Sequence, residues 1–298
     1  MMEHIFSTNP LDRGEALRRD EDWIKAAAEQ DDARFLAFNK LNILLNGAEL
    51  AWLDGTEVRF MGASKPQVFL GMHNGQPRFA VSIDESEHLP SGHRLSDCRA
   101  AAMQMPMDQT GILAQARAQL DWHRRHRFCS VCGAESEMQR GGQVRVCPAC
   151  GAQHFPRTDP VAIMLIIDGD RCLVGQPKGP LVRTGVYSAL AGFIDQGETI
   201  EEAVRCEVRE EAGLEVGEVR YHSSQPWPFP SSLMIGCHAL AATTDIQMDE
   251  EEMHDVRWVE RDEMQRAMDG EPASVKAPGP IAIAHHLIAA WLADEIRW

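Results

Sequence analysis

Two C-x-x-C pairs near the middle of the chain restrict its fold more than any other feature. The pairs are separated by 14 residues and consist of Cys129, Cys132, Cys147 and Cys150. A C-x-x-C turn directs two thiolates to one spot, and the glycine after each pair permits the tight backbone that this requires. Two such turns predict a tetrahedral four-thiolate zinc site, with residues 141–146 as the return strand of a short ribbon. We expect one structural zinc per chain, in a closed site without an open position for substrate.

The main alternative for these cysteines is a pair of disulfides in a secreted protein. The first 23 residues contain no apolar segment of the kind found in secretory signals, which disfavours that alternative. A redox-active C-x-x-C is disfavoured because the pair occurs twice in near-repeat. The remaining cysteines are scattered, and we expect them to be small buried hydrophobic residues. They are Cys98, Cys172, Cys206 and Cys237.

Length and composition limit the classes of protein to which the chain can belong. Its 298 residues are enough for two domains, and a hydrophobic content of 44% allows a sizeable core. No run of about 18 apolar residues is present, so we expect no membrane span and a cytoplasmic protein. The formal net charge of −16 disfavours non-specific binding to nucleic acid or anionic membranes. A local exception is the basic segment 122–128, WHRRHRF, at the edge of the cysteine cluster.

Apolar periodicity and turn residues predict an N-terminal α+β domain, a central ribbon and a C-terminal domain. In the first part we expect a helix at 21–38, strands at 41–45, 48–53, 67–72 and 77–83, and a helix at 110–126. After the ribbon we expect a hairpin of strands at 161–168 and 171–176, strands at 218–223, 233–241 and 255–259, and a helix at 281–292. The expected domain boundaries are 1–125, 126–156 and 157–298.

The segment 200–212 has the clearest helix signals in the chain. Thr199 and Glu202 have the spacing of a capping box, and Gly213 is suited to end the helix in the left-handed conformation. Apolar residues recur at helical spacing on one face, while Glu207, Glu210 and Glu211 share another. Like charges at this spacing cost a few tenths of a kcal/mol per pair, roughly. The cluster is therefore either a solvated acidic face or a set of ligands for a divalent cation.

The segment 192–214 resembles the Nudix box, G-x5-E-x7-R-E-U-x-E-E-x-G-U, in which U is aliphatic. The matching residues are Gly192, Glu198, Glu207, Val208, Glu210, Glu211, Gly213 and Leu214. One position departs from the box, because Cys206 replaces its arginine, which orients a box glutamate in the family. The adjacent Arg205 lies about 100° further around the helix, so it is a poor substitute.

A second segment, SQPWPFPSSLM at 224–234, resembles the signature of the NADH pyrophosphatase subfamily of Nudix hydrolases. Considered alone, it is equally consistent with a polyproline-II turn or an exposed proline-rich ligand. The order of N-terminal domain, zinc ribbon, box and signature is similar to that of the bacterial NADH pyrophosphatases. The resemblance implies an α+β fold, in which a Nudix α/β/α sandwich with a mixed sheet follows a zinc ribbon and a small N-terminal α+β domain. It also implies a homodimer.

The resemblance implies hydrolysis of the pyrophosphate bond of NAD(H), giving AMP and nicotinamide mononucleotide, or the same cleavage at the 5′ end of NAD-capped RNA. Two or three Mg²⁺ or Mn²⁺ ions would neutralise the phosphates and activate a water. The implied metal ligands are Glu207, Glu211, Glu252 and the backbone carbonyl of Ala191, with a register uncertainty of one or two residues at Glu252. Either Glu210 or Glu211 is the implied general base, and Glu198 is implied to shape the loop before the helix.

The resemblance also implies a set of substrate-binding residues. They are Phe155, Phe193, Gln225, Pro226, Trp227, Pro228, Phe229, Pro230, Ser231, Ser232 and Ala284. A nicotinamide or adenine ring can stack on the phenylalanine faces, and Phe155 is implied to reach the site of a neighbouring subunit. The alternative for Phe155 and Ala284 is ordinary packing in the ribbon or the core.

Two other classes of function stay open on the sequence. A Nudix-fold protein that binds nucleotides in a regulatory role, with weakened catalysis, is favoured only by Cys206. A nucleic-acid-binding protein built around the zinc ribbon is opposed by the net charge of −16 and by the intact carboxylates of the box.

Overall fold

The computed structural model describes residues 3–63, 68–84 and 89–298, which form two compact units. The N-terminal unit consists of residues 5–158 together with 226–231. The C-terminal unit consists of residues 159–225 and 232–298 together with the start of the chain. The segment 226–231 therefore belongs to the N-terminal unit, although both of its flanking strands belong to the other.

The helices and strands of the N-terminal unit follow one another along the chain, with a small three-stranded ribbon at the end. They are α1 Glu21–Ala28, β1 Arg34–Asn39, β2 Asn42–Asn46, β3 Glu49–Leu50, α2 Gly55–Phe60, β4 Val68–His73, β5 Gln76–Ser82, β6 His93–Ser96, α3 Cys98–Ala102, α4 Met107–Arg125, β7 Glu137–Gln139, β8 Val144–Val146 and β9 Gln153–His154. The strands have the order β3-β2-β1-β5-β4 in a mixed sheet, with β6 also paired to β2. The ribbon sheet has the order β7-β8-β9, which confirms the predicted return strand.

The predicted helix at 21–38 is wrong in its second half. Helix α1 ends at Ala28, and β1 begins at Arg34. Strand β1 lies between β2 and β5, and its residues 35–39 are all buried. A short apolar run that is buried on both faces has no alternation, so its sequence does not distinguish a strand from a helix. The four predicted strands match β2 to β5, except that residue 67 lies outside the described residues.

The helices and strands of the C-terminal unit alternate around a second mixed sheet. They are β10 Asp159–Asp168, β11 Arg171–Pro177, α5 Pro180–Thr184, β12 Leu190–Phe193, α6 Ile200–Ala212, β13 Val216–Trp227, β14 Ser232–Ala241, β15 Met253–Glu260, α7 Arg261–Met268 and α8 Ile283–Leu292. The strand order is β13-β14-β10-β11-β15, and β12 also pairs with β10. The predicted hairpin of β10 and β11 is confirmed. Helix α7 was not predicted, because its sequence is mostly charged and presents few apolar residues.

Helices cover both faces of this sheet. On one face, Ala203, Val204 and Val208 of α6 pack in a core with Met164 and Leu173 of the sheet. On the other face, α8 packs in a second core with the alternate residues of the same strands. The residues that α8 contributes to this core include Leu287, Ile288 and Trp291. The fold is therefore an α/β/α sandwich with a mixed sheet, as predicted. No helix in the described parts of the chain is both long and apolar enough to cross a bilayer.

Candidate active site

Helix α6 has the bounds that its sequence predicts. The Thr199 hydroxyl accepts a hydrogen bond from the backbone N–H of Glu202, whose carboxylate in turn accepts from the N–H of Thr199, so the capping box is complete. At the other end, Gly213 has a φ of 69°, a left-handed conformation that glycine adopts without steric cost. These two ends set the bounds of the helix, whose residues Glu207 and Glu211 meet β12 at Gly192 and Ala191.

The three carboxylates of that face have different environments. Glu211 is 7% exposed, Glu207 is partly buried and Glu210 is exposed. Burial and then the charge of Glu207 raise the pKa of Glu211 to about 8, although a hydrogen bond from the backbone N–H of Ala191 acts in the opposite direction. The second oxygen, Oε2, is buried and has no hydrogen-bond partner among the residues that the structure describes. A buried carboxylate oxygen without a donor is costly, and a cation would supply the missing partner.

Glu207 rests on the backbone of Gly192 in β12. A Cβ built on Gly192 would lie 1.8 Å from Cδ and Oε1 of Glu207, so only glycine leaves room for this carboxylate. Burial and then the charges of Glu210 and Glu252 raise the pKa of Glu207 to about 7. The box glycine is therefore required by a side chain that packs on it, which the sequence alone does not reveal.

Glu252 faces the same group from the loop before β15. Its charge raises the pKa of both Glu207 and Glu211. Lys178 holds this loop, since its backbone N–H donates to the Glu252 carbonyl at 2.9 Å and its ammonium donates to the Glu250 carbonyl. Sequence analysis missed Lys178, because the contact joins residues more than 70 positions apart.

Cys206, the position that departs from the box, contacts another box residue. Its thiol donates a hydrogen bond to the Glu198 carboxylate, and burial followed by this bond raises the pKa of the thiol. Glu198 also accepts from the backbone N–H of Asp195 at 3.0 Å. Cys206 is only partly buried, unlike Cys98, Cys172 and Cys237, so its predicted burial is wrong. Arg205 donates instead to the carbonyls of Glu201 and Gly217.

The donor set of this face suits a hard divalent cation. It includes the carboxylates of Glu207, Glu211 and Glu252, and carboxylate oxygens are ligands that Mg²⁺ and Mn²⁺ prefer. The partnerless oxygen of Glu211 and the position of Glu207 against Gly192 are both consistent with such an ion. Within the described part of the chain, the only group that brings three or more ligand atoms within 4.8 Å of one another is the cysteine cluster. The carboxylates are therefore more widely spaced than those thiols.

The four cysteines form a compact cluster of free thiols in the ribbon. The Sγ atoms of Cys129 and Cys150 are 3.7 Å apart, and those of Cys132 and Cys147 are 3.5 Å apart. Tetrahedral zinc with Zn–S bonds of about 2.3 Å separates its sulfurs by about 3.8 Å, so the spacing fits. Burial raises the pKa of Cys129, but hydrogen bonds from backbone N–H groups outweigh it and lower the pKa to about 6, which favours the thiolate.

Several predicted substrate-binding residues lie in the C-terminal unit. Phe193, at the end of β12, is 59% exposed and presents a free aromatic face. Gln225 is buried, where its amide donates to the Ile281 carbonyl and accepts from the N–H of Ile283 at the start of α8. The Ala284 side chain is buried in the core beside α8, and Ser232 begins β14. Gln225 thus fixes the start of α8, a role that its sequence position does not indicate.

The other predicted substrate-binding residues lie in the N-terminal unit. Phe155 follows the ribbon and is 60% exposed. The remainder form the segment 226–231, namely Pro226, Trp227, Pro228, Phe229, Pro230 and Ser231. The guanidinium carbons of Arg99 and Arg117 lie 3.8 Å and 4.4 Å from the ring centre of Phe229. Arg117 also donates to the carbonyl of Pro228. These arginines hold the segment and were missed by sequence analysis, because they are remote in sequence.

Three family profiles match the chain in succession. Residues 32–122 match the NADH pyrophosphatase-like rudimentary NUDIX domain, residues 124–155 the NADH pyrophosphatase zinc ribbon domain, and residues 156–277 the NUDIX domain. The rudimentary domain was predicted only as a small α+β domain, since it contains no box motif by which it could be identified.

Several known proteins are similar to this chain over most of its length. The NAD-capped RNA hydrolase NUDT12 of Homo sapiens is 36% identical over an aligned length of 341, which covers 97% of this chain and 73% of that protein. The NAD-capped RNA hydrolase NudC of Pseudomonas aeruginosa is 37% identical over 271 residues, covering 91% and 89%. The mitochondrial NAD(P)H pyrophosphatase NUDT13 of Mus musculus is 41% identical over 206 residues, covering 65% and 58%.

Proposed function

Since this chain belongs to the Nudix hydrolase family, we propose that it cleaves the pyrophosphate bond of NAD(H) and of the NAD cap at RNA 5′ ends. The products from the dinucleotide are AMP and nicotinamide mononucleotide. The observation that carries the proposal is the buried Glu211 oxygen without a partner, beside Glu207 on Gly192. We also propose the domain division 1–125, 126–156 and 157–298, with one structural zinc in the ribbon.

The carboxylate face provides the groups that such a hydrolysis needs. Glu207 and Glu211 would hold two or three Mg²⁺ or Mn²⁺ ions, together with Glu252 and the carbonyl of Ala191. Bound cations offset the charge of the phosphates and lower the pKa of a water. Glu210 is exposed on the same face and is our candidate for the base that accepts a proton from the attacking water. Glu198, held by Cys206 and Asp195, orders the loop that leads into α6.

We propose substrate-binding residues in each of the two units, taken separately. Phe193 is exposed at the end of β12, next in sequence to Gly192, so a nicotinamide or adenine ring could stack on it close to the carboxylates. We assign the segment 226–231 to the same task, with Phe229 held by its two arginines. Within the C-terminal unit, Gln225, Ser232 and the backbone of Ala284 are further proposed substrate-binding positions.

We propose that the protein is a cytoplasmic homodimer. Phe155 is 60% exposed, so it is accessible to the second copy that the resemblance implies. Light scattering at micromolar concentration tests this. A species of 33.2 kDa, the mass of one chain, would refute the dimer.

Product analysis is the direct test of the reaction. Purified protein is incubated with Mn²⁺ and NADH, and the products are separated by chromatography, with NAD-capped RNA as a second substrate. We expect AMP and reduced nicotinamide mononucleotide from wild type, and neither at a comparable rate from Glu211→Gln. The absence of both products from wild type, with binding retained, would favour a regulatory nucleotide-binding protein instead.

A further inference from the structure

The N-terminal unit contains a cavity of about 840 Å³ beside the ribbon. Its volume lies within the range of about 300–1,000 Å³ that is usual for small-molecule sites. One part of its lining is apolar and consists of Leu41, Val68, Leu120 and Met138. Another part is cationic and consists of Lys40, Arg124, Arg127 and Arg145, with Glu135 and Glu137 as the acidic members. An apolar wall beside clustered cations suits an organic anion.

Arg145 is the buried cation of this lining. It is 7% exposed, and its contacts are with neutral groups. The Nε–H donates to the Ser136 hydroxyl at 2.8 Å, one terminal nitrogen donates to the Ser136 carbonyl, and the other donates to Nδ1 of His123 at 3.2 Å. His123 can accept there because its Nε2–H donates to the Gly142 carbonyl, and burial lowers its pKa to about 4, so the ring is neutral.

The charge of Arg145 is therefore not offset by a contact with a carboxylate among the described residues. Guanidinium has five N–H donors, of which these contacts use three. The carboxylate of Glu135, which pairs with Arg127, acts on this charge through space but forms no hydrogen bond with Arg145. An anion that reaches the two remaining donors would add charge-assisted hydrogen bonds that Glu135 does not supply.

The cations at the exposed side of the cavity come from the basic segment 122–128 and from the turn between β1 and β2. Arg124 shares the carboxylate of Asp121 with Arg125, at 2.8 Å and 2.9 Å, so two cations meet one anion there. Arg127 pairs with Glu135 at 2.8 Å, and both side chains are largely exposed. The lining thus carries more positive than negative charge in a protein whose net charge is −16.

We propose that this cavity is a second nucleotide site, separate from the carboxylate face, which binds a nucleoside monophosphate. The phosphate lies at Arg145 with Arg127 and Lys40 beside it, and the nucleoside packs on Leu41 and Leu120. The volume exceeds what inorganic phosphate fills, and the apolar wall gives a base or ribose a surface to cover. The same chemistry is offered by free AMP and by a nucleotide within an RNA chain.

Equilibrium binding of fluorescently labelled AMP tests the proposal, with the full-length zinc-containing protein and no added Mg²⁺ or Mn²⁺. Two variants are compared: Lys40→Gln combined with Arg127→Gln, and Lys25→Gln as a control. Lys25 is an exposed lysine of the same unit that does not line the cavity. We expect the double variant to bind at least about tenfold more weakly, because the removal of one charge-assisted hydrogen bond to phosphate costs about that much, while Lys25→Gln binds as wild type does. Thermal unfolding verifies that each variant is folded.

Further binding measurements identify the site that is occupied and the source of the phosphate. Inorganic phosphate should compete with the labelled AMP, and Glu207→Gln should leave this binding intact because it alters only the carboxylate face. A short single-stranded RNA is tested in the same way. If the RNA binds with the same dependence on Lys40 and Arg127 and free AMP binds only weakly, the occupant is a nucleotide within an RNA chain. The proposal would be overturned if neither AMP nor RNA binds. It would also be overturned if the double variant binds them as wild type does, or if Glu207→Gln abolishes the binding.

Discussion

The burial of Glu211 predicts a stability that depends on pH in the absence of a divalent cation. The pKa of Glu211 is about 8 in the folded chain, against 4.5 for an unperturbed glutamate. The folded state therefore holds the proton more tightly than the unfolded state, so ionisation opposes folding. The free energy of unfolding should fall as the pH rises from about 4.5 to about 8. With about 1.4 kcal/mol per pKa unit, the loss between pH 5.5 and pH 8 is about 3 kcal/mol.

The substitution Glu211→Gln removes this ionisation while it keeps the shape of the side chain. In urea unfolding without Mg²⁺ or Mn²⁺, we expect wild type to lose about 3 kcal/mol more stability than the variant between these pH values. Added Mn²⁺ should restore the stability of wild type at pH 8 and have a much smaller effect on the variant. The variant should also lose more than roughly a hundredfold in hydrolysis rate, since even residues that only support metal ligands cost about 10–100-fold.

Glu202→Gln is the matched control, because it makes the same chemical change on the same helix. Hydrogen bonds from Thr199 hold the pKa of Glu202 below its usual value. The ionised carboxylate therefore stabilises the folded state above the pKa of the unfolded state, and this stabilisation is lost as the pH falls through the pKa of the folded state. Between pH 5.5 and pH 8 this variant should follow wild type, with a small constant loss and a near-normal rate. If Glu211→Gln and wild type show the same pH dependence, the carboxylate is not buried as described and our metal assignment loses its main support.

Three further predictions concern individual contacts. Gly192→Ala should remain folded but lose activity about as severely as Glu207→Gln, because a Cβ cannot share space with that carboxylate; a rate near wild type would contradict the contact. Cys206→Ser should retain the hydrogen bond to Glu198 and most of kcat, whereas Cys206→Ala should lower kcat, and equal rates for the two would show that the bond is unimportant. Elemental analysis should find one zinc per chain, and Cys147→Ser should unfold the ribbon, as monitored by proteolysis; a zinc-free wild type would refute the site.

Local signals were sufficient for the parts of the fold whose ends are marked in the sequence. The bounds of α6 follow from a capping box and a left-handed glycine, both of which act within a few residues. The hairpin of β10 and β11 and the ribbon return strand follow from turns of equally short range. The four cysteines also belong here, since two identical turns present their thiolates in the same way. These features could be predicted because the residues that determine them are neighbours in the chain.

The environment of the carboxylates was decided by tertiary structure. On the sequence, Glu207, Glu210 and Glu211 are equivalent members of one helix face, and their repulsion predicts only a few tenths of a kcal/mol per pair, roughly. The fold buries Glu211, sets Glu207 on Gly192 and leaves Glu210 exposed, so the three have different environments. Burial depends on which part of the sheet the helix packs against, and no local pattern specifies that position.

The same reason accounts for the strand at 34–39, for the arginines that hold Phe229 and for the cavity beside the ribbon. Each joins residues that are far apart in the chain, as Arg99 and Phe229 are, or depends on burial from both sides, as in β1. The amino-acid sequence establishes which residues are chemically able to bind a metal, a phosphate or an aromatic ring. Which of them meet, and how much water they retain, is set by the tertiary fold, because both depend on the packing of distant segments.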